Sequence, residues 1–176
     1  DHNTLAKDAA IDRLERLRLE WHGDNLEQKV LALLGDLYAE KKDYVNAMRI
    51  WDDGVTGFPN TAPAIIMSHK MEAAFIAMFN DGGADHLPPL DALSLYYEYR
   101  NFAPGGDTGR QISEHLADRL MSVNLLEQAA ALLDHQMQFE SEKEQRSRLG
   151  ARLAGIYLMN HQSKKALAAL GNSMYG

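Results

Sequence analysis

His115 and Asp118 stand three residues apart, and Asp134 and Gln138 four apart, the spacings that put two side chains on one helix face. A metal centre needs three or four ligands. None of the seven histidines sits in an HExxH arrangement or lies three or four residues from another. These pairs therefore read as surface polar pairs, and no metal or cofactor is expected. Glu20, His22 and Asp24 cluster at a helix end. Acid–base chemistry there would need a nucleophile or a cleft beside them. The structural reading has Gly23 ending the helix, His22 facing its dipole and Asp24 capping the next. Ser68, Ser94, Ser113 and Ser122 lack a GxSxG context, and Gly82–Gly83 and Gly105–Gly106 lack the spacing of a phosphate cradle. There is no cysteine, which removes disulfides, thiolate ligands and a thiol nucleophile. No catalytic residue is expected, and the chain reads as a non-enzyme.

The elements that could position a site come next. At 176 residues, 45% of them hydrophobic, the chain can bury a core. Its formal charge is −7, unevenly spread: residues 141–176 hold six basic residues against two acidic ones, and the remainder carries −11. An acidic body disfavours nucleic acid as the partner, since phosphate binding needs a basic stripe. The basic end suits an acidic peptide or a lipid headgroup, or is simply a solvated helix face. No apolar run approaches the roughly 18 residues of a membrane span, and no signal peptide is visible. The chain opens at Asp1 and enters a helical pattern at once, which predicts a piece of a longer protein whose targeting signal lies elsewhere.

Apolar residues recur at three- and four-residue spacing along nearly the whole chain, with no convincing period of two. Gly23, Asp24 with Glu27 at capping-box spacing, Asp43, Asn60, Gly82–Gly83, Pro88–Pro89 and Pro104–Gly105–Gly106 punctuate that pattern. It predicts helices near 4–22, 25–41, 44–57, 61–80, 89–102, 108–122, 125–139, 143–160 and 163–173.

Within this pattern, Leu34–Gly35–x–x–Tyr38 is followed by Ala47–x–x–x–Trp51 and then Pro59. Leu116–Ala117–x–x–Leu120 with Ala129–x–x–x–Leu133, and Leu153–Ala154–x–x–Tyr157 with Ala166–x–x–x–Leu170, repeat it. In each, the leucine precedes the alanine by 13 residues. Ala92–x–x–x–Tyr96 with Pro104 keeps the second-helix spacing. The alanines Ala47, Ala92, Ala129 and Ala166 step by 45, 37 and 37, and Ala10 lies 37 before the first. Small residues such as Gly35 and Ala47 let antiparallel helices approach closely. One hairpin alone leaves an apolar face that a neighbour must cover. The pattern resembles the tetratricopeptide repeat, with Leu31 where that family usually has Trp and Gly54 where it has Ala. The resemblance implies an all-α fold: a right-handed α-superhelix of about four stacked antiparallel helix hairpins. It gives one domain over 1–176, with a remnant helix at 1–23 and hairpins at 24–60, 61–106, 107–141 and 142–176. More loosely, Glu20–Trp21–His22–Gly23–Asp24 and Ala92–Leu93–x–Leu95–Tyr96 are similar to the repeat region of large bacterial envelope proteins, which tilts localisation toward the envelope or periplasm.

What the family resemblance implies is a protein–protein interaction scaffold with a peptide or partner helix in a concave groove lined by first helices. By position, that groove takes Lys29, Ala32, Asp36 and Ala39, then Gln111, Glu114, Asp118 and Met121, then Arg148, Ala151, Gly155 and Leu158, with Arg152 and Met159 beside them. Asp36 and Asp118 stand where the chaperone-binding subset needs Asn, so its carboxylate clamp is not expected. The groove should run from acidic near Asp36 and Asp118 to basic and apolar near Arg148, Leu158 and Met159. Met67, Met71 and Met78 form a stripe that reads as core, or alternatively as a groove for an apolar helix. The stretch Asp81–Pro89 adds length without periodicity and is expected to be an exposed, mobile insertion. Two rival readings remain: self-association through exposed array ends, making a homo-oligomer or an assembly segment, and an enzyme built on an α-superhelix.

Overall fold

A computed structural model describes residues 2–20 and 25–175. Among them every regular element is helical: α1 His2–Glu20, α2 Asn25–Glu40, α3 Tyr44–Gly57, α4 Ala62–Phe79, α5 Pro89–Glu98, α6 Gly106–Ser122, α7 Leu126–Phe139, α8 Lys143–Met159 and α9 Ser163–Tyr175. The helix expected over 89–102 stops at Glu98, and the chain continues as a single 3-10 turn, Arg100–Phe102. Trp21, His22, Gly23 and Asp24, on which the first capping box and the acid–base cluster were placed, lie outside the described residues.

The chain divides into two compact units, Asp1–Gly83 with Asn101–Ala103, and Ala84–Arg100 with Pro104–Gly176. In the first, α1 packs on α2, α2 on α3 and α3 on α4, and α4 also meets α2. In the second, α5 packs on α6, α6 on α7, α7 on α8 and α8 on α9. The stretch 61–106 is thus shared, α4 belonging to the first unit and α5 to the second.

Three tight turns have one construction. Lys42, Asn124 and His161 adopt φ of 61°, 61° and 56°. The amides of Lys42 and Asp43 donate to the Ala39 and Tyr38 carbonyls at 2.8 and 3.0 Å. Asn124 and Leu125 donate likewise to Met121 and Leu120, both at 2.9 Å, and His161 and Gln162 to Leu158 and Tyr157 at 3.0 and 2.8 Å. This double bond with a left-handed residue is the Schellman closure, which satisfies carbonyls a helix end would otherwise leave bare. The next helix then starts the same way each time: Ala47, Ala129 and Ala166 donate to the carbonyls of Asp43, Leu125 and Gln162 at 3.0–3.1 Å. The alanines that repeat in the sequence therefore hold one structural position, where Ala47 and Ala129 are fully buried and Ala166 nearly so. Side-chain caps add to these bonds at the starts of α3 and α4. The Asp43 and Thr61 side chains each accept from the amide three residues on, Asn46 and Ala64, at 3.3 Å.

Packing explains the small residues. A Cβ on Gly35 would sit 2.2 Å from Nε1 of Trp51, so only glycine leaves room on α2 for the indole of α3. Gly150 receives Ser173 of α9 in the same way, a Cβ there falling 2.2 Å from the Ser173 Cβ. Met67, Met71 and Met78 are buried with Phe75, so the methionine stripe is core. The unbranched thioether chain of Met67 lies beside Gly54, where an added Cβ would meet it.

Candidate functional site

In the first unit, α2, α3 and α4 enclose a cleft of ≈ 520 Å³. Its wall is made of Ala39, Ala73, Ala74 and Ala77 with the rings of Tyr44 and Trp51, and Asp36, Glu40 and Lys70 stand at it as the charged groups. Lys70 donates to both carboxylate oxygens of Asp36, at 2.6 and 2.7 Å, a pair about one-third exposed. The expected acidic start of the groove is therefore neutralised, because the next first helix brings a cation 34 residues along the chain. Trp51 is buried, and its Nε1 has no acceptor. A buried donor without a partner costs free energy, and this one lies against Gly35 of α2.

Beside that cleft, α1 is tied to α2 and α3 by charge. Lys7 pairs with Glu40 at 2.7 Å, Arg18 with Asp53 at 3.1 Å and Lys41 with Asp8. The Tyr38 hydroxyl donates to Glu15 at 3.0 Å. Burial, and after it that carboxylate, push the Tyr38 phenol up to about 12.

The second unit repeats the pairing. Arg152 of α8 reaches Glu114 at 3.0 Å and also Asp118, both on α6. The spacing from Asp118 to Arg152 is the same as from Asp36 to Lys70. Two residues expected at opposite ends of a charge gradient, Asp118 and Arg152, are thus each other's partners, and Arg152 is held by its own chain. A smaller polar cleft of ≈ 190 Å³ lies alongside, lined by Asp107, Arg110, Gln111, Glu114, Gln145 and Arg148. Arg110 binds Glu140 at 3.1 Å and also Asp107, and the Glu140 side chain is only 8% exposed. The Glu142 amide, which donates to Glu140 at 3.0 Å, and the Arg110 guanidinium outweigh burial and hold this carboxyl below its ordinary value.

Of the remaining expected site residues, Lys29 is exposed on α2 and lines neither cleft, and Met121 is half-buried. Leu158 and Met159 are more than half exposed at the end of α8. The sequence reading missed Lys70, Ala73 and Ala77. A signal for the first existed in the recurring acid-to-base spacing, whereas the alanines gave none.

The segment 81–89 meets the expectation of an exposed insertion only in part. Asp81, Asp85, His86 and Pro88 are exposed, but Ala84 is buried, and the Arg119 guanidinium donates to the carbonyls of Ala84, Asp85 and Leu87 at 3.2, 3.1 and 2.6 Å. The Asp85 carboxylate lies 3.0 Å from His115 and 3.5 Å from Arg119. Non-helical carbonyls need donors, and the planar guanidinium fork supplies several at once. His115 accordingly turns to Asp85 and not to Asp118, while Gln138 does bond Asp134 at 3.2 Å.

Among the described residues, no group of three or more His, Cys, Asp or Glu is placed to hold a metal ion. No described helix is long and apolar enough to cross a membrane.

No family model matches the chain, and no curated protein matches it. Among solved structures the chain is similar to BtubC (BKLC) from P. vanneervenii, with 13% sequence identity and a TM-score of 0.37, over 96% of this chain and 73% of that one.

Proposed function

We propose that the chain is a protein–protein interaction scaffold of the tetratricopeptide type, and that its first unit takes a peptide or partner helix in the α2–α3–α4 cleft. The observation that carries this reading is the cleft itself: an apolar wall of alanines and two aromatic rings beside a charged pair. Such a surface suits a protein segment whose apolar side chain enters the cleft while a polar group meets Asp36 and Lys70. Burial of the apolar group supplies most of the affinity, and the exposed charges orient it and set the association rate. On this reading the hairpins stack as a right-handed superhelix, and the chain binds without catalysing.

The test is selection of binding peptides from a random displayed library, followed by titration against Ala77→Met. Methionine at 77 adds bulk to the cleft wall and leaves the charge pair, about one-third exposed, in place. Selected peptides are expected to weaken by about tenfold or more against this variant while its circular dichroism is unchanged. Peptides that bind the folded variant as tightly as the wild type would remove the cleft from the proposal.

A further inference from the structure

The cleft of the first unit keeps one register along α2 and α4. Asp36 meets Lys70 across it, and one turn later Ala39 and Glu40 stand with Ala73, Ala74 and Ala77. One turn earlier come Leu33 on α2 and Ile66 on α4, three and four residues before the members of the bridge and so on the same helix faces. Both are large apolar side chains, and they are 51% and 55% exposed. The Asp36–Lys70 bridge therefore stands between two apolar patches, about 10 Å apart along the helices.

Two further observations limit what can lie there. Each charge at the cleft is already taken: Asp36 by Lys70, through both carboxylate oxygens, and Glu40 by Lys7 at 2.7 Å. A charged side chain brought in would lose its water and find no free counter-charge. The backbone around the cleft is engaged as well. The carbonyls of Leu37, Tyr38 and Ala39 accept from the amides of Lys41, Asp43 and Lys42, and that of Ala77 accepts from Gly83. An extended segment would bring bare N–H and C=O groups to a wall of alanine methyls that offers no ladder to pair with. A helix satisfies its backbone internally and asks only for apolar contact.

On the reading that this cleft binds a protein segment, we infer that its guest is an amphipathic helix of a partner protein, with apolar side chains at i and i+7 and an uncharged residue midway. The helix lies along α2 and α4. One anchor enters the alanine cleft over Tyr44 and Trp51, and the other covers Leu33 and Ile66. Seven residues of helix span the same distance of about 10 Å that separates the patches. The midway residue faces the bridge. Glutamine there can both donate and accept, whereas glutamate meets Asp36 with Lys70 already engaged.

The probes are two displayed peptide libraries of equal length, selected on the whole chain. One is randomised on a single face of an alanine-rich helix, and the other is random around a central proline that bars a helix. The helical library is expected to yield binders with apolar residues at i and i+7. These weaken by about tenfold or more against Ala77→Met, and likewise against Leu33→Asp and Ile66→Asp, whose exposed positions leave the melting temperature unchanged. Either aspartate variant carries the result if the other fails to fold. The best binder is then synthesised with glutamine and with glutamate midway. Glutamate should weaken binding to the wild type and recover it against Asp36→Asn, where Lys70 is free. Binders sensitive to Ala77→Met that come only from the proline library would keep the cleft and sink the helix. Helical binders indifferent to the folded Leu33→Asp and Ile66→Asp variants would refute the two-patch spacing. If the glutamate peptide gains nothing from Asp36→Asn, the charge argument falls. Self-association in sedimentation that Ala77→Met abolishes would give the cleft to a second copy. No binder sensitive to Ala77→Met from either library would remove the cleft as a binding site, and its helical guest with it.

Discussion

The helices α2–α3–α4 and α6–α7–α8 match 82 residues apart in sequence and in the turn that joins their first two members, yet α4 meets α2 across an apolar cleft of ≈ 520 Å³ while the cleft beside α6 and α8 is smaller and polar. Their turns share the same bonds, and Leu34, Ala47, Met71 and their counterparts Leu116, Ala129 and Leu153 are buried alike. Asp36 and Lys70 correspond to Asp118 and Arg152. The difference is in side-chain size. Ala39 and Ala77, which wall the cleft, correspond to Met121 and Met159, and Ala74 corresponds to Ile156. Backbone and charge pattern recur in both, and a few methyl-sized side chains accompany the apolar cleft.

The same exchange runs through the core, and there the largest effect is expected. Gly35 lies under the rigid indole of Trp51, while Ala117 lies at the matching place, where Leu133 stands for the indole. Gly35→Ala should cost about 3 kcal/mol, the upper part of the range for overpacking, because a ring cannot fold away from the new methyl group. Adding Trp51→Leu should recover part of that loss, so that the double variant is less destabilised than the sum of the two singles. Denaturant unfolding of all four proteins measures the coupling. Strict additivity would mean that Gly35 and Trp51 do not pack against each other.

A smaller effect separates the units by pH. Glu140 is nearly buried with Arg110, whereas Asp36 and Lys70 are about one-third exposed. The folded value of Glu140 lies below its ordinary 4.5. The stability it supplies is therefore fully present above that pH and is lost as pH falls through the depressed folded value. At neutral pH, Glu140→Gln should cost about 1.5 kcal/mol, near the low end for a charged hydrogen bond because Asp107 still faces Arg110. The gap from wild type should close on acidification, as followed by chemical denaturation at several pH values. Asp36→Asn should change stability by no more than about 1 kcal/mol. A Glu140→Gln gap that stays constant down to strong acid would show that the Arg110 pair does not supply it.

The smallest expected effects lie in the three matching turns. His161 holds a left-handed conformation that glycine adopts without strain and that Asn tolerates better than His. His161→Gly should raise stability by about 1 kcal/mol, and Asn124→Gly by only about 0.3 kcal/mol. Thermal melts of the two variants decide this. Equal gains would mean that side-chain strain does not distinguish the turns.

The helices, their ends and the recurring alanines were legible in the residues because each depends on neighbours within one or two turns of chain. Asp43 reaches only to Asn46, and a Schellman closure spans six residues. The α5 end was misjudged because apolar spacing continues to Phe102 while the backbone tightens after Glu98. The α2–α3–α4 cleft and the clasp of Arg119 on Ala84, Asp85 and Leu87 were not legible. Asp36 and Asp118 looked like an acidic stripe until Lys70 and Arg152, 34 residues on, were seen to neutralise them. By itself the sequence determined an all-helical chain with a repeating register and a basic end. Tertiary structure alone decided which charges cancel and where alanines leave room. The physical reason is range: helix periodicity and capping are local, whereas burial and charge pairing depend on which distant helix comes to lie alongside.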